Sequence, residues 1–315
     1  MWDDGLRFGI LGPLMVRAGG RAVRLAAGKR QQFLATLLLN PNRVTPLDTV
    51  VEILWQGRPP RSAIANIRTY ASSLRTMLGG IDRIIGDSVG YRLRVSPHEL
   101  DMLTFTELIR QAESSLERHR PEIALKLFRL ADGLWRGSPL EDVPPHPQWA
   151  GPLEQLAEQR LALLESLAAL ELAAQMYASV ITRTRKFLSD HPFRERAWML
   201  LILALYGRGR REEALAAYVE CRQALREELG VEPSEELRTV QSGILNGARV
   251  RSLVLEALQE ANGPWFSALT PGSEGLPPTD PMTAHELVDA MAAAGLVERV
   301  ETDDEGQASY LLRLR

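Results

Sequence analysis

The chain has 315 residues, 45% hydrophobic and 24% charged, which is too long for one small module and too apolar for a disordered protein. Its single cysteine, Cys221, excludes an internal disulfide, and five scattered histidines lack zinc-ligand spacing, so neither metal nor other cofactor is expected. The net charge of −3 conceals an asymmetry: Met1 to Ser96 carries 14 Lys and Arg against 6 Asp and Glu, Pro97 to Val250 carries 19 against 23, and Arg251 to Arg315 carries 4 against 11. A basic head on an acidic remainder points to a polyanion, nucleic acid first; a merely solubilising surface is the other reading. The longest apolar run, Ala197 to Tyr206, falls well short of the roughly 20 residues of a membrane helix. The acidic start Met1-Trp2-Asp3-Asp4 is unlike a signal peptide, so a cytoplasmic protein is expected.

In chain order, Leu6 to Val16 and Ala22 to Leu25 predict two or three short strands, because brief apolar runs are broken there by Gly and Pro. Lys29 to Leu39 carries Phe33, Leu34, Leu37 and Leu38 at helical spacing and stops at Asn40-Pro41-Asn42. Thr45-Pro46-Leu47-Asp48 reads as an N-cap, a proline at the first helical position and an acid in the first turn, opening a second helix that ends near Gly57. After Arg58-Pro59-Pro60-Arg61, Ser62 caps a third helix that runs to Leu78 before Gly79-Gly80. On it Ala63, Ile67, Tyr70, Leu74 and Met77 share one face, which leaves Ser62, Asn66, Thr69, Ser73 and Thr76 on another, flanked by Arg68, Ser72 and Arg75. Ile84-Ile85 and Tyr91 to Val95 alternate around the Gly86 to Gly90 turn as a half-exposed hairpin, with Arg92 and Arg94 outward. Three helices and a basic hairpin make a winged helix-turn-helix, whose third helix suits the major groove and whose wing suits backbone or minor groove.

Leu54-Trp55, Arg58-Pro59-Pro60-Arg61-Ser62-Ala63, Ile67, Tyr70, Leu74-Arg75, Leu78 and Gly90-Tyr91-Arg92-Leu93 together resemble the Streptomyces antibiotic regulatory protein family, and the similarity runs over residues 6 to 246. The resemblance implies an OmpR-type DNA-binding head over 1–96. It further implies binding of double-stranded promoter DNA at tandem direct repeats, a homodimer on that DNA, and activation of antibiotic biosynthetic clusters. By position, Arg61, Ser62, Asn66, Arg68, Thr69, Ser72, Ser73 and Arg75 would contact bases or phosphates, the arginines first, and Tyr91 and Arg92 would belong to the wing. The loop Gln56, Gly57 and Arg58 up to Arg61 would face RNA polymerase at its sigma-factor region, whereas Trp55 reads as core.

Residues 97–246 are helical in pattern apart from the proline-rich loop Gly137 to Pro152. Thr104 to Glu117 and Pro121 to Trp135 predict one helix pair. A 34-residue period then places tetratricopeptide-like units at Leu161 to Arg194 and Glu195 to Glu228, with Trp198, Leu201, Leu205, Ala214, Tyr218 and Cys221 at packing positions. Arg226 stands where that repeat carries proline. Such repeats expose a protein-binding surface, and the run Glu227 to Ser234 resembles the same family's bacterial transcriptional activator domain. Trp135, Trp149 and Trp198 read as core packing.

Residues 247–315 form a third, acidic segment. A helix over Ser252 to Ala261, a Thr283/Glu286 capping box opening a second helix, and a hairpin of Glu298 to Glu301 with Ser309 to Leu312 suggest a small winged-helix-like fold. Gly295-Leu296-Val297-Glu298-Arg299 resembles the end of a MarR-type reader. Its negative charge argues against phosphate contact, leaving dimer contact, autoinhibition or partner binding. No phosphate-cradling glycine loop, G-x-S-x-G elbow or H-E-x-x-H helix is present, so no enzyme is expected. With no receiver module ahead of the head, control is expected to come by dose, partner or ligand. The fold class is therefore mainly α with small β, and the function a DNA-binding activator. The alternative is a repeat-type scaffold or ligand sensor with an incidental basic head.

Overall fold

The computed structural model describes residues 5–25, 27–80, 83–260, 298–302 and 308–311. Alternation of inward Phe8 and Val16 with outward Arg17 builds an antiparallel sheet of β1 (Arg7–Gly9), β2 (Met15–Ala18) and β3 (Arg21–Ala22), with Phe8 opposite Val16. The helical spacing at Phe33 to Leu38 gives α1 (Lys29–Leu39), whose Phe33, Leu34, Leu37 and Leu38 are fully buried. Next come β4 (Thr45–Pro46), α2 (Leu47–Trp55), α3 (Ala63–Met77), β5 (Ile84–Gly86) and β6 (Gly90–Leu93), the strands forming a second sheet in the order β4-β6-β5.

Thr45-Pro46 is a strand and not the N-terminus of a helix. Thr45 lies opposite Tyr91, and the Leu47 amide donates to the Val89 carbonyl, so the wing satisfies backbone groups that a cap would otherwise serve. Gly90 is required for that approach, since a Cβ there would stand 2.0 Å from the Thr45 carbonyl oxygen. Ser62 precedes α3 but makes no side-chain cap bond; its Oγ instead accepts from the Asn66 side-chain amide at 3.3 Å. The far end of α3 closes as a Schellman motif, the Gly80 amide reaching the Arg75 carbonyl at 3.1 Å and Gly79 taking φ +77°.

A 3-10 turn, Pro97–Glu99, closed by a Ser96/Glu99 capping box, leads into α4 (Asp101–Glu117) and α5 (Pro121–Asp132). The chain packs as two compact units, one drawn from Met1–Ile109, Leu130–Arg160 and Gly295–Arg315, the other from Arg110–Arg129 and Leu161–Ala294. Packing units thus cut across the segments expected from sequence, and the reason lies in the proline-rich loop. The Arg136 amide donates to the Leu11 carbonyl, the Leu140 amide to Gly12, and the Leu14 amide to Asp142 Oδ1 at 2.6 Å. Leu140, Val143 and Trp149 join the core of the basic head. Each such burial stabilises by roughly 1.5–3 kcal/mol, and the loop's prolines lower the conformational freedom lost on ordering it. The loop also ends earlier than its last proline, because α6 (Ala150–Ala173) accommodates Pro152 in its first turn.

In the second unit α6 is followed by α7 (Tyr177–Asp190), α8 (Glu195–Gly207), α9 (Arg211–Ala224), α10 (Glu235–Leu245) and α11 (Val250–Glu260). All six expected packing positions from Trp198 to Cys221 are buried. Where the repeat would carry proline, Arg226 lets the chain continue as a π turn, Leu225–Leu229, until Gly230 at φ +69° ends it. A buried carboxylate ties three helices together: Glu171 on α6 accepts from Arg129 on α5 at 3.2 Å, from Ser179 Oγ on α7 at 2.9 Å and from Arg183 Nε on α7 at 3.3 Å. The first helix of the expected tail segment, α11, packs on α8 and α10, with Leu253 against Gly243. Of the rest of that segment, the strands β7 (Glu298–Thr302) and β8 (Ala308–Leu311) form the expected antiparallel hairpin. The expected second helix with its Thr283/Glu286 box, and Gly295 to Val297, lie outside the described residues.

Breaking a buried ion cluster by removing one partner leaves uncompensated charge, so Glu171→Ala is expected to lower unfolding free energy by about 3 kcal/mol in a denaturant titration. Burial pushes the Cys221 thiol up to about 12, with the Glu195 field adding to it. Native protein is therefore expected to resist a thiol-specific disulfide reagent at pH 8 and to label fully once unfolded. Because the folded value lies above the unfolded one, this thiol supports stability below its unfolded pKa, and that support is lost as pH rises towards 12.

Candidate nucleic-acid interface

The apolar stripe of α3 decides which face is presented. Ala63, Ile67, Ala71 and Leu74 are buried against the head, so the opposite side is forced outward. Arg61, Ser62, Arg68, Thr69, Ser72 and Thr76 are exposed, and the Ile64 and Ala65 side chains share that surface. Thr69 Oγ1 donates to the Ala65 carbonyl at 3.0 Å and Thr76 Oγ1 to Ser72 at 3.2 Å, which orients both hydroxyl groups on the helix surface. Short polar side chains between two arginines suit the edges of base pairs in a groove about 12 Å wide, which admits an α-helix.

Not every expected site residue reaches this face. Asn66 is half-buried at its margin. Ser73, also half-buried, accepts from Arg30 Nη1 at 2.8 Å and so connects α3 to α1. Arg75 donates from Nε to the Ile84 carbonyl at 2.7 Å, bracing the wing from behind. Tyr91, which the resemblance implies as a DNA contact of the wing, is a core residue: it is 7% exposed and meets Phe33 edge-on with ring centroids 5.3 Å apart. Its place follows from strand alternation, since Tyr91, Leu93 and Val95 face inward while Arg92 and Arg94 face the other way. Arg92 is half-buried and Arg94 exposed.

The wing turn is held by Asp87, whose Oδ1 accepts the Val89 and Gly90 amides at 2.8 and 3.0 Å; these bonds hold its carboxyl below the usual value. Gln56 to Arg61 is exposed throughout and leaves α2 through left-handed Gln56, φ 50°, and Gly57, φ 77°. Trp55 is partly buried against the head's core and carries Lys29 over its ring. No local pattern marks Arg30 and Arg83 as neighbours of this region, because only tertiary packing brings them to α3 and to the wing base. Among the described residues no group of three or more His, Cys, Asp or Glu could hold a metal ion, and no helix is long and apolar enough to cross a membrane.

A winged-helix head followed by tetratricopeptide-like helices is the architecture of a class of transcriptional regulators. Residues 100–245 match the bacterial transcriptional activator domain. Regulatory protein DnrI of Streptomyces peucetius is 31% identical over 76% of this chain and 92% of its own length. The chain belongs to the Streptomyces antibiotic regulatory protein family of transcriptional regulators. It is also 36% identical to regulatory protein AfsR of Streptomyces griseus over 77% of this chain, but spans only 25% of that longer protein. The structure of Mycobacterium tuberculosis EmbR in complex with a low affinity phosphopeptide superposes with a TM-score of 0.73 at 30% identity, covering 81% of this chain and 70% of that one.

The two arginines of α3 are expected to separate cleanly in thermal or chemical unfolding. Arg68→Ala should change stability by less than about 0.5 kcal/mol. Arg75→Ala, which removes the brace to Ile84, should cost about 1–2 kcal/mol.

Proposed function

We propose that this chain is a sequence-specific activator that binds direct repeats at a promoter as a homodimer and recruits RNA polymerase to a secondary-metabolite cluster. The observation that carries the reading is the outward face of α3, where Arg61, Ser62, Arg68, Thr69 and Ser72 are exposed together while the helix's apolar side is anchored in the core. In this reading Arg68 and Thr69 meet base edges, and Arg61 and Ser62 meet phosphates at the helix start. Ser73, Arg75 and Tyr91 position the helix and the wing without touching DNA. The exposed loop residues Gln56, Gly57 and Arg58 face the sigma-factor region of polymerase. The helical repeats pair protomers. Family membership and the basic charge of residues 1–96 support the same reading.

Fluorescence anisotropy of the full chain on DNA from its own gene neighbourhood, against scrambled DNA, tests it. A preference for one fragment is expected, with Arg68→Ala losing about 1–3 kcal/mol of discrimination while Arg94→Ala keeps it. Equal affinity for every fragment by folded protein would refute the reading.

A further inference from the structure

One helix of the second unit is covered in part from outside the matched domain. Every residue of α8 from Ala197 to Leu205 is buried, so this helix is apolar all round and is enclosed on every side. Helices α7 and α9 pack along two of its sides, and α10 and α11 complete the enclosure. The residues matched to the bacterial transcriptional activator domain end at Leu245, before α11 begins at Val250. One wall around α8 is therefore supplied by a segment that the matched domain does not include.

The chain enters α11 through a tight reversal. Helix α10 ends in a Schellman motif, the Ala248 amide donating to the Gly243 carbonyl at 2.9 Å and Gly247 taking φ 70°. Two side chains pin the connection: Tyr206 Oη, at the end of α8, donates to the Ala248 carbonyl at 2.8 Å, and Arg211 Nη2, at the start of α9, donates to the Leu245 carbonyl at 2.9 Å. Beyond them the described side chains that α11 turns inward are apolar. Val250, Leu253, Val254 and Ala257 fall at i, i+3, i+4 and i+7; the last three are buried and Val250 is half-buried, while Arg251 and Ser252 on the other side are exposed. That is the anchor spacing with which an amphipathic helix enters an apolar groove. The groove has a place for its largest anchor. Gly243 lies inside α10, where glycine weakens a helix relative to alanine, and a Cβ there would overlap the Leu253 Cδ2 methyl. Gly243 thus keeps open the seat of one leucine side chain.

We propose that the surface formed by α8, α10 and the Gly243 seat is a docking site for an amphipathic helix of a partner protein, and that α11 fills this site in cis until such a helix displaces it. The partner helix carries aliphatic anchors at the spacing of Val250, Leu253, Val254 and Ala257, with leucine at the second. Uncovering α8 with nothing to replace α11 would expose a contiguous apolar patch, which is what a helix with those anchors covers. The inference goes beyond the DNA-binding reading and stands whether or not that reading holds. A removable plug differs from a fixed end cap in that its seat can be filled in trans.

The test follows the anisotropy of a labelled peptide of residues 248–260 on the full chain. Leu253→Asp empties the seat, because a carboxylate is penalised where the leucine is buried, and Leu253→Asp/Gly243→Val empties it and fills the space. Saturable binding is expected for Leu253→Asp and none for the double variant. The unaltered chain should bind roughly tenfold or more weaker than Leu253→Asp, since its tethered helix competes at an effective concentration on the order of millimolar. Circular dichroism and the melting transition of each variant are recorded alongside. If Leu253→Asp does not fold, Leu253→Ala takes its place, vacating most of the seat without burying a charge. A folded variant with an empty seat that binds no peptide makes α11 a fixed cap and overturns the proposal. Equal binding by the double variant puts the contact elsewhere and overturns it as well. A dimer that the unaltered chain forms in analytical ultracentrifugation and Leu253→Asp does not would give the seat to α11 of a second copy and overturn the assignment to a partner protein.

Discussion

One carboxylate organises the first unit. Asp101, at the start of α4, accepts the Ile10 amide at 2.8 and 3.0 Å and the Leu11 amide at 3.0 Å, and takes Arg136 Nη2 at 3.2 Å. Those amides follow β1, where the chain leaves the sheet and would otherwise expose unpaired donors. Burial pushes the Asp101 carboxyl above the usual value, while the two amides and Arg136 pull it back, so the anion is held by partners and not by water. Arg136 then donates to the Pro13 carbonyl at 2.8 Å, and a single side-chain cluster joins the first sheet, the start of α4 and the proline-rich loop.

The position of α3 depends on that closure. Its stripe of Ala63, Ile67, Ala71 and Leu74 needs a complete core behind it, and part of that core comes from Leu140, Val143 and Trp149, more than sixty residues downstream. The family's activator domain, matched from residue 100, therefore contributes directly to the unit that presents the outward face of α3. Helix and wing are further tied by Arg75 to Ile84 and by Tyr91 on Phe33. A helix and a hairpin held to each other by such bonds are what the proposed groove recognition asks of a scaffold, because side chains misplaced by an ångström forfeit their hydrogen bonds.

Much of this is legible in the sequence. The bounds of α1 follow from Phe33 to Leu38 and the Asn40-Pro41-Asn42 stop, and the buried stripe of α3 from its spacing, with Ala71 in the core and Tyr70 and Met77 only half covered. The repeat period places Trp198 to Cys221 in the core. Thr45-Pro46 reads as a helix start because cap chemistry and strand chemistry share those residues, and only the distant partner Tyr91 chooses between them. Arg75 reads as a surface group because a long amphipathic side chain is compatible with water or with a partner, and its partner, the Ile84 carbonyl, arrives only when the chain returns as the wing; Tyr91 is a contact by resemblance alone, since the alternation that turns Arg92 and Arg94 outward turns it inward.

By itself the sequence determined the periodic parts of this protein. Local spacing of apolar residues, proline and glycine punctuation and segment charge establish a basic head on helical repeats, since each of those signals acts over a few residues or sums over a segment. Tertiary structure alone decided which polar groups remain available. It committed Ser73 to Arg30, Arg75 to Ile84 and Arg83 to Glu99. The physical reason is that hydrogen bonds and ion pairs form between groups brought together by closure of the chain, and strand register and loop return set those meetings at separations no local pattern encodes.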